Sequence, residues 1–301
     1  MAKARELRRR IRSVENTRKI TKTMEMVSTS KLKRALDRVV AARPYAAALA
    51  EVIGDLYAPD LAERFPLLRQ PAHGAGRTAL MLITSNRGLC GAFNANLIRE
   101  ARRRLRELEA QGAAVDLHLV GKKGIGFFKF SGRPIATQRT DIGDKPTAAQ
   151  AAELVAPMLA RFEAGTLDAV ELVFARFTSA VSTPPTTLRI LPVTPPERGQ
   201  VGRLDRSNVP TFPPSTFYIL KPSAQAILEE LLPLYVRNQV FRGLVETAAA
   251  EHGARRTAMK NATDNAGDML DILRRTFNRA RQAQITQEIA EIVGGAEALK
   301  G

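Results

Sequence analysis

Residues 259 to 283 read MKNATDNAGDMLDILRRTFNRARQA, and their spacing decides the fold. Met259, Ala262, Ala266, Met269, Leu273, Thr276, Ala280 and Ala283 alternate steps of three and four, the seam of a left-handed coiled coil. Small residues in such a seam let two helix backbones approach closely. Outward from it, no proline occurs between Leu234 and Val293. Pro233 is expected to interrupt the helix early, and Ser223, just after Pro222, is a candidate N-cap whose hydroxyl takes an orphan N–H.

A helix this long needs a partner for its apolar face, and the other end of the chain supplies one. From Met1 to Arg43 there is no Gly or Pro. Leu7, Ile11 and Val14, then Ile20, Met24 and Val27, then Leu32, Leu36 and Val39 form a stripe of three-to-four spacing. Pro44 lacks an N–H and is expected to kink the run. Leu49, Val52, Ile53 and Leu56 resume the stripe, which Gly54 weakens and Pro59 closes. At about 1.5 Å per residue, a helix of about 70 residues is on the order of 100 Å long, which predicts a rod rather than a globule.

Between the two runs the period changes. Thr78 to Thr84, Val115 to Val120 and Ala169 to Phe177 are short, apolar and partly β-branched, and read as strands, with another over Thr187 to Leu191. Asn94 to Ala110 and Thr147 to Phe162 read as helices, so the segment is an α/β layer structure with a largely parallel sheet. The stretches from Pro59 to Gly76 and from Thr194 to Pro214 are rich in Pro, Gly and charge and read as exposed loops. The expected division is therefore residues 1–58, a helix; 75–195, a central α/β domain; 196–220, a Pro-rich loop region; and 221–301, the second long helix.

The chain of 301 residues is 45% hydrophobic and carries a formal charge of +16, a field that attracts an acidic partner. Its single cysteine, Cys90, excludes a disulfide within the chain. No apolar stretch approaches the roughly 18 residues that span a bilayer. The start is Arg-rich like a transit peptide, but it carries Glu6 and runs into the helical stripe, so it reads as mature protein.

Catalytic patterns are scarce. Ser85 to Gly91 (SNRGLCG) and Gly121 to Gly126 (GKKGIG) follow strands, yet neither is a dinucleotide fingerprint and no Walker-type loop occurs. Their glycines read as tight turns, with a phosphate site at the helix after Gly91 as the functional alternative. His73, His118 and His252 lack metal-ligand spacing, and Cys90 reads as a packed small residue. On these residues no cofactor, metal or catalytic group is expected, and the chain is not an enzyme by itself.

The last helix ends in ITQEIAEIVGGAEA, Ile285 to Ala298, which resembles the C-terminal signature of gamma subunits of F-type ATP synthases at Ile285, Thr286, Glu288, Glu291, Gly295 and Ala296. RKITKTMEMVSTSKL (Arg18 to Leu32), ARPYA (Ala42 to Ala46), SNRGLCG and AMKNATDNA (Ala258 to Ala266) are similar to that family in the same order. The resemblance covers nearly the whole chain. It implies a long antiparallel coiled coil of the terminal helices with a central Rossmann-like α/β domain as its foot. It also implies a non-catalytic rotor that couples an ion-driven c ring to the β subunits of an α3β3 head. An epsilon subunit is a further partner, a single copy is present per complex, and the membrane is met only through the complex, on the cytoplasmic face of the bacterial inner membrane.

By the same resemblance, Arg281, Gln282, Thr286, Glu288 and Glu291 are coupling contacts to the head, with Met24 facing them from the N-terminal helix. Arg9, Arg10, Lys19, Lys22, Lys31, Lys33 and Arg34 form a basic face toward an acidic β-subunit loop. Three features depart from the family pattern. Pro233 stands where gamma helices continue without proline, Leu220-Lys221-Pro222 stands where many relatives carry an acid before the proline, and the plastid cysteine pair is missing. A basic nucleic-acid-binding coiled coil is the rival, but the chain has no Trp and 5% aromatics, too few for stacking on bases.

Overall fold

The computed structural model describes residues 2–56, 64–69, 76–179, 182–194 and 224–298. Ser223, residues 220–222 and most of both Pro-rich stretches lie outside them. The chain forms two compact units, one of residues 1–29 with 255–301 and the other of residues 30–254.

In the second unit, β1 (Arg77–Ile83), α2 (Phe93–Ala110), β2 (Ala114–Val120), α3 (Lys122–Phe130), β3 (Thr137–Arg139), α4 (Ala148–Glu163), β4 (Ala169–Ala175) and β5 (Pro185–Leu191) follow in chain order. The sheet runs β3-β2-β1-β4-β5. Its first four strands are parallel and β5 is antiparallel to β4. Both faces are covered, which is why β1 and, apart from Glu171, β4 read as apolar runs rather than alternating ones.

Alternation still decides which layer each residue meets. Leu80, Leu82, Leu119, Val173 and Ala175 pack with Phe93, Leu97, Leu105 and Phe128 of α2 and α3. Met81, Ile83, Leu172 and Phe174 pack with Val155, Met158 and Phe162 of α4. That second face also takes Leu49 and Ile53 of α1 (Ala2–Leu56) and Leu228, Leu232, Val236, Val240 and Leu244 of α5 (Ala224–Ala298). The sheet's core thus draws on both terminal helices, each large apolar side chain contributing about 1.5–3 kcal/mol when fully buried. Contact is close enough that a Cβ on Gly243 would lie 2.6 Å from Leu172 Cδ2.

Pro44 and Pro233 were expected to break the helices, but α1 and α5 run through them. Around Pro233 the reason is packing. Leu228 and Leu232 before it and Val236 and Val240 after it are all buried, and their combined burial outweighs the roughly 3 kcal/mol that an interior proline costs.

The helix α3 was not expected at all, because GKKGIG reads as a turn. Gly121, at φ 98°, ends β2 and opens α3. A Cβ there would lie 2.1 Å from the Thr84 carbonyl oxygen, so only glycine lets the two turns pass.

Buried beneath the sheet's α4 face, His118 has Nδ1 2.7 Å from Thr137 Oγ1 and leaves Nε2 without a protein partner. Burial pushes its pKa below the usual 6.5, the Asp116 charge opposing and Arg161 adding. The unfolded chain therefore binds the extra proton first, and stability falls as pH drops through about 6.5 toward the lower folded value. We expect a slope of at most about 1.4 kcal/mol per pH unit in urea midpoints, absent in His118→Phe. An unchanged slope in that variant would remove His118 as the cause.

Candidate functional site

In the unit of residues 1–29 with 255–301, α1 and α5 run antiparallel. The hydroxyl oxygens of Thr21 and Thr263 lie 2.8 Å apart, and Arg274 donates to Glu15 at 2.7 Å, so descending numbers on one helix meet ascending numbers on the other. The buried seam of α5 is Met259, Thr263, Ala266 and Leu270, continued by half-buried Leu273, Phe277, Ala280 and Gln284. Half the expected seam is therefore shifted by one residue: Ala262, Met269, Thr276 and Ala283 give way to their successors. The same shift occurs on α1, where Thr21 and Ser28 are buried while Ile20 and Val27 are 60% and 50% exposed.

Hydroxyls in the seam explain the shift at Thr21, Ser28 and Thr263. A buried hydroxyl is tolerated when it is hydrogen-bonded. Thr21 Oγ1 is also 3.1 Å from its own Arg18 carbonyl, and Thr263 Oγ1 is 2.8 Å from that of Met259.

This register places the first turn of α1 opposite about residue 282 of α5. Beyond it, residues 285–296 are all exposed. Ile285, Ile289, Ile292 and Val293 are 47%, 56%, 72% and 56% exposed, and their spacing puts them on one stripe of the helix. At about 100° per residue, Arg281 and Glu288 flank that stripe on one side and Thr286 on the other, while Gln282 falls within the stripe's own arc, a turn before Ile285. Glu291 lies further round, accepting from Gln287 at 2.9 Å, and Glu288 accepts from Gln284 at 2.8 Å. Met24 is not with them. Half-buried, it sits opposite about residue 260, roughly 30 Å along the helix from Arg281 by the same rise.

The seven basic residues of α1 do not share a face. With Leu7, Val14, Thr21 and Ser28 on the seam, Arg9, Arg10, Lys19, Lys22, Lys33 and Arg34 are exposed and distributed around the outside of the helix. Several are engaged within the chain. Arg10 pairs with Glu6 at 2.6 Å and Lys22 with Glu25 at 3.1 Å, while half-buried Lys31 pairs with Asp144 at 2.5 Å.

In the unit of residues 30–254, a cavity of about 550 Å³ opens at the carboxyl ends of β1 and β2, lined among others by Arg87, Lys122, Lys145, Asp141, Asp144 and Glu251. Open parallel sheets bind phosphates here through free amides at a helix start. In this chain those amides are occupied. Lys122 N donates to Asn86 Oδ1 at 3.0 Å, Lys123 N to Ser85 O at 3.2 Å and Gly124 N to Thr84 Oγ1 at 2.9 Å.

The SNRGLCG turn is also tied to the start of α2 by its own side chains. Its Ser85 hydroxyl donates to Arg87 O at 2.6 Å and accepts from Asn94 Nδ2 at 2.8 Å. Cys90 packs, 2% exposed, among Phe93, Leu97 and Ile125. No group of three or more metal-binding side chains gathers among the described residues.

One polar cluster escaped the sequence reading. Glu171 of β4, 2% exposed, accepts from Arg104 Nε at 2.5 Å and Nη2 at 2.6 Å, with Arg189 at 3.4 Å. The signal was a lone acid inside the apolar run AVELVFA.

Comparison with known proteins matches residues 3–299 to a family model described as ATP synthase. An ATP synthase gamma chain of Gemmatimonas aurantiaca is 62% identical over 302 residues, covering all of both chains. Another from Moorella thermoacetica is 46% identical over 301 residues, again covering both in full. Among solved structures, a chain of the Euglena gracilis mitochondrial ATP synthase rotor has a TM-score of 0.62 at 19% identity, over 94% of this chain and 99% of that one. The Tetrahymena thermophila central stalk and c-ring structure gives 0.58 at 23% identity, over 81% and 99%. At those identities the structural matches speak to the fold.

Proposed function

The chain belongs to the ATP synthase gamma-chain family, and on that premise we propose that it is the central rotor shaft of an F-type ATP synthase. In this reading it carries the rotation of an ion-driven c ring into the α3β3 head and drives the catalytic β subunits through their cycle. It performs no chemistry of its own.

The observation that carries the reading is the far end of α5. An apolar stripe at Ile285, Ile289, Ile292 and Val293 stands exposed where α1 has already ended. Soluble chains rarely leave such a stripe uncovered unless a partner covers it. Apolar contacts are non-directional and slide with little change in energy. Arg281, Thr286 and Glu288 at its edges, and Gln282 a turn before it, supply hydrogen bonds whose geometry changes with angle. A stripe with polar edges therefore suits a bearing that turns inside a sleeve and engages at particular angles. Arg9, Arg10, Lys19, Lys22, Lys33 and Arg34, distributed around α1, suit successive encounters with acidic loops on three β subunits, each weak and screened by salt.

An epsilon subunit and the c ring complete the rotor, with one copy of this chain per complex. No helix among the described residues is long and apolar enough to cross a membrane. In this reading the chain meets the cytoplasmic face of the inner membrane only through its partners.

Affinity purification of the tagged chain from detergent-solubilised membranes is expected to bring α, β, epsilon and c subunits with it. Recovery of nucleic acid in place of α and β, lost as salt rises, would replace this reading by the nucleic-acid one.

A further inference from the structure

Asp144 lies in the loop between β3 and α4, and three side chains from the two long helices converge on it. Lys31 Nζ of α1 is 2.5 Å from its Oδ2, and His252 Nε2 of α5 is 3.5 Å from its Oδ1. Arg38 of α1 donates from Nη1 to its backbone carbonyl at 3.3 Å. All four residues belong to the unit of residues 30–254.

The loop that presents Asp144 is itself fastened to the sheet. Asn86, just past β1, donates from Nδ2 to Thr140 O at 3.1 Å and to Ile142 O at 2.9 Å, and its Oδ1 accepts from Lys122 N at the start of α3. Ile142 is buried in the core on the α4 face. A chain of contacts therefore leads from the carboxyl ends of β1 and β2 through Asn86 and the loop to a single carboxylate, and from there to both terminal helices. Burial works against ionisation of Asp144, but the Lys31 hydrogen bond and the charges of His252, Lys31 and Arg87 hold its carboxyl below the usual range. It is thus a carboxylate near neutral pH.

The helices have other holds on this unit, of a different kind. Ala35, Val39, Val245 and Ala249 pack α1 against α5, and Thr247 accepts from Ala175 N at 3.3 Å. Apolar packing resists separation but permits sliding, whereas a charged hydrogen bond is lost on a displacement of about 1 Å. Both Lys31 and Arg38 of α1 end on Asp144. Loss of that one side chain therefore releases the Lys31 and His252 contacts together and frees the carbonyl that Arg38 holds to shift.

We propose that Asp144 is a positioning residue of the rotor, one that locks the sheet to both long helices and sets the torsional stiffness with which the sheet passes torque into them. The inference rests on the rotor reading above. It predicts a mechanical defect rather than a loss of assembly, because the apolar core that builds the fold does not include Asp144.

The test uses the assembled complex, held by its head, with a probe on the sheet unit whose thermal angular fluctuations are recorded between steps of rotation. Asp144→Ala and the near-isosteric Asp144→Asn are expected to raise the angular variance by about twofold, as a local tether is lost without global unfolding. Asp144→Glu is expected to stay near the native value. Asp141, which pairs with Arg139 and has no hydrogen bond or ion pair to either long helix among the described residues, supplies the control Asp141→Ala, expected to leave the variance unchanged. Native variance in Asp144→Ala, or an equal rise in Asp141→Ala, would overturn the proposal. Failure of both Asp144 variants to assemble where the native chain does would overturn it too, by making Asp144 a folding residue. A native chain that never rotates would sink the rotor reading instead.

Discussion

Arg104→Ala is expected to destabilise the unit that holds the sheet by about 3–5 kcal/mol, because it strands a carboxylate in the core. Glu171 sits on β4 among Val173, Ala175 and the α2 residues, with only 2% of its side chain exposed. Two charge-assisted bonds from Arg104, at 2.5 and 2.6 Å, satisfy both carboxylate oxygens. Without them, among the described residues only Arg189 remains, at 3.4 Å and 46% exposed, too long and too wet to compensate.

The opposite result is expected when both partners go. Arg104→Met with Glu171→Met replaces the pair by apolar groups of similar length and is expected to be neutral or up to about 4 kcal/mol more stable than the native chain. Amide hydrogen exchange across β4 reads the change in this unit without requiring the whole chain to unfold as one. A single variant within about 0.5 kcal/mol of native would mean that the pair is not the buried anchor its geometry implies.

The largest functional effect is expected from Arg281→Ala with Gln282→Ala. Both side chains are exposed and make no hydrogen bond within the chain among the described residues. Alanine is at least as good a helix former as either, so folding and assembly are expected to stay within about 0.5 kcal/mol of native. Each charge-assisted bond lost to the head removes about 1.5–3 kcal/mol. If those bonds form only at the angles where the head changes state, that loss falls on the coupled step, and ion-gradient-driven ATP synthesis in membrane vesicles drops about tenfold or more. Undiminished synthesis in vesicles containing the doubly substituted chain would remove these two residues from the coupling path.

Much of this molecule can be read from its sequence because its elements are long or strongly apolar. The heptad spacing of α5, the glycine- and proline-free start of α1 and the buried strands β1 and β4 carry their own signals. What fails is the choice between adjacent positions. Apolarity favours Ile20 over Thr21 and Val27 over Ser28, whereas the seam takes small hydroxyl residues that let the backbones close up and pairs Thr21 with Thr263; at Met269 and Leu270 both neighbours are apolar and only the three-and-four alternation chose between them. The displaced Ile20, Val27 and Met269 are left 60%, 50% and 53% exposed.

Other features escape for reasons of distance. Nothing near Asp144 announces that residues 113 positions earlier and 108 later will close on it, since Lys31 and His252 reach it only through the tertiary fold. The helix α3 is hidden by Gly124 and Gly126, which lower helix propensity. Gly124 is nonetheless required, because a Cβ there would meet Thr84 Oγ1 at 2.9 Å. Arg281, Gln282, Thr286 and Glu288 are proposed as contacts through the resemblance alone; the structure shows them exposed, with Met24 on a different level of the coiled coil.

Rotation itself tests the account most directly. With the head of the assembled complex fixed to a surface and a visible marker attached to this chain, ATP is expected to drive the marker in one direction, with three stops per turn as the three β subunits fire in succession. A marker that stays fixed while the head hydrolyses ATP would contradict the claim that this chain is the shaft.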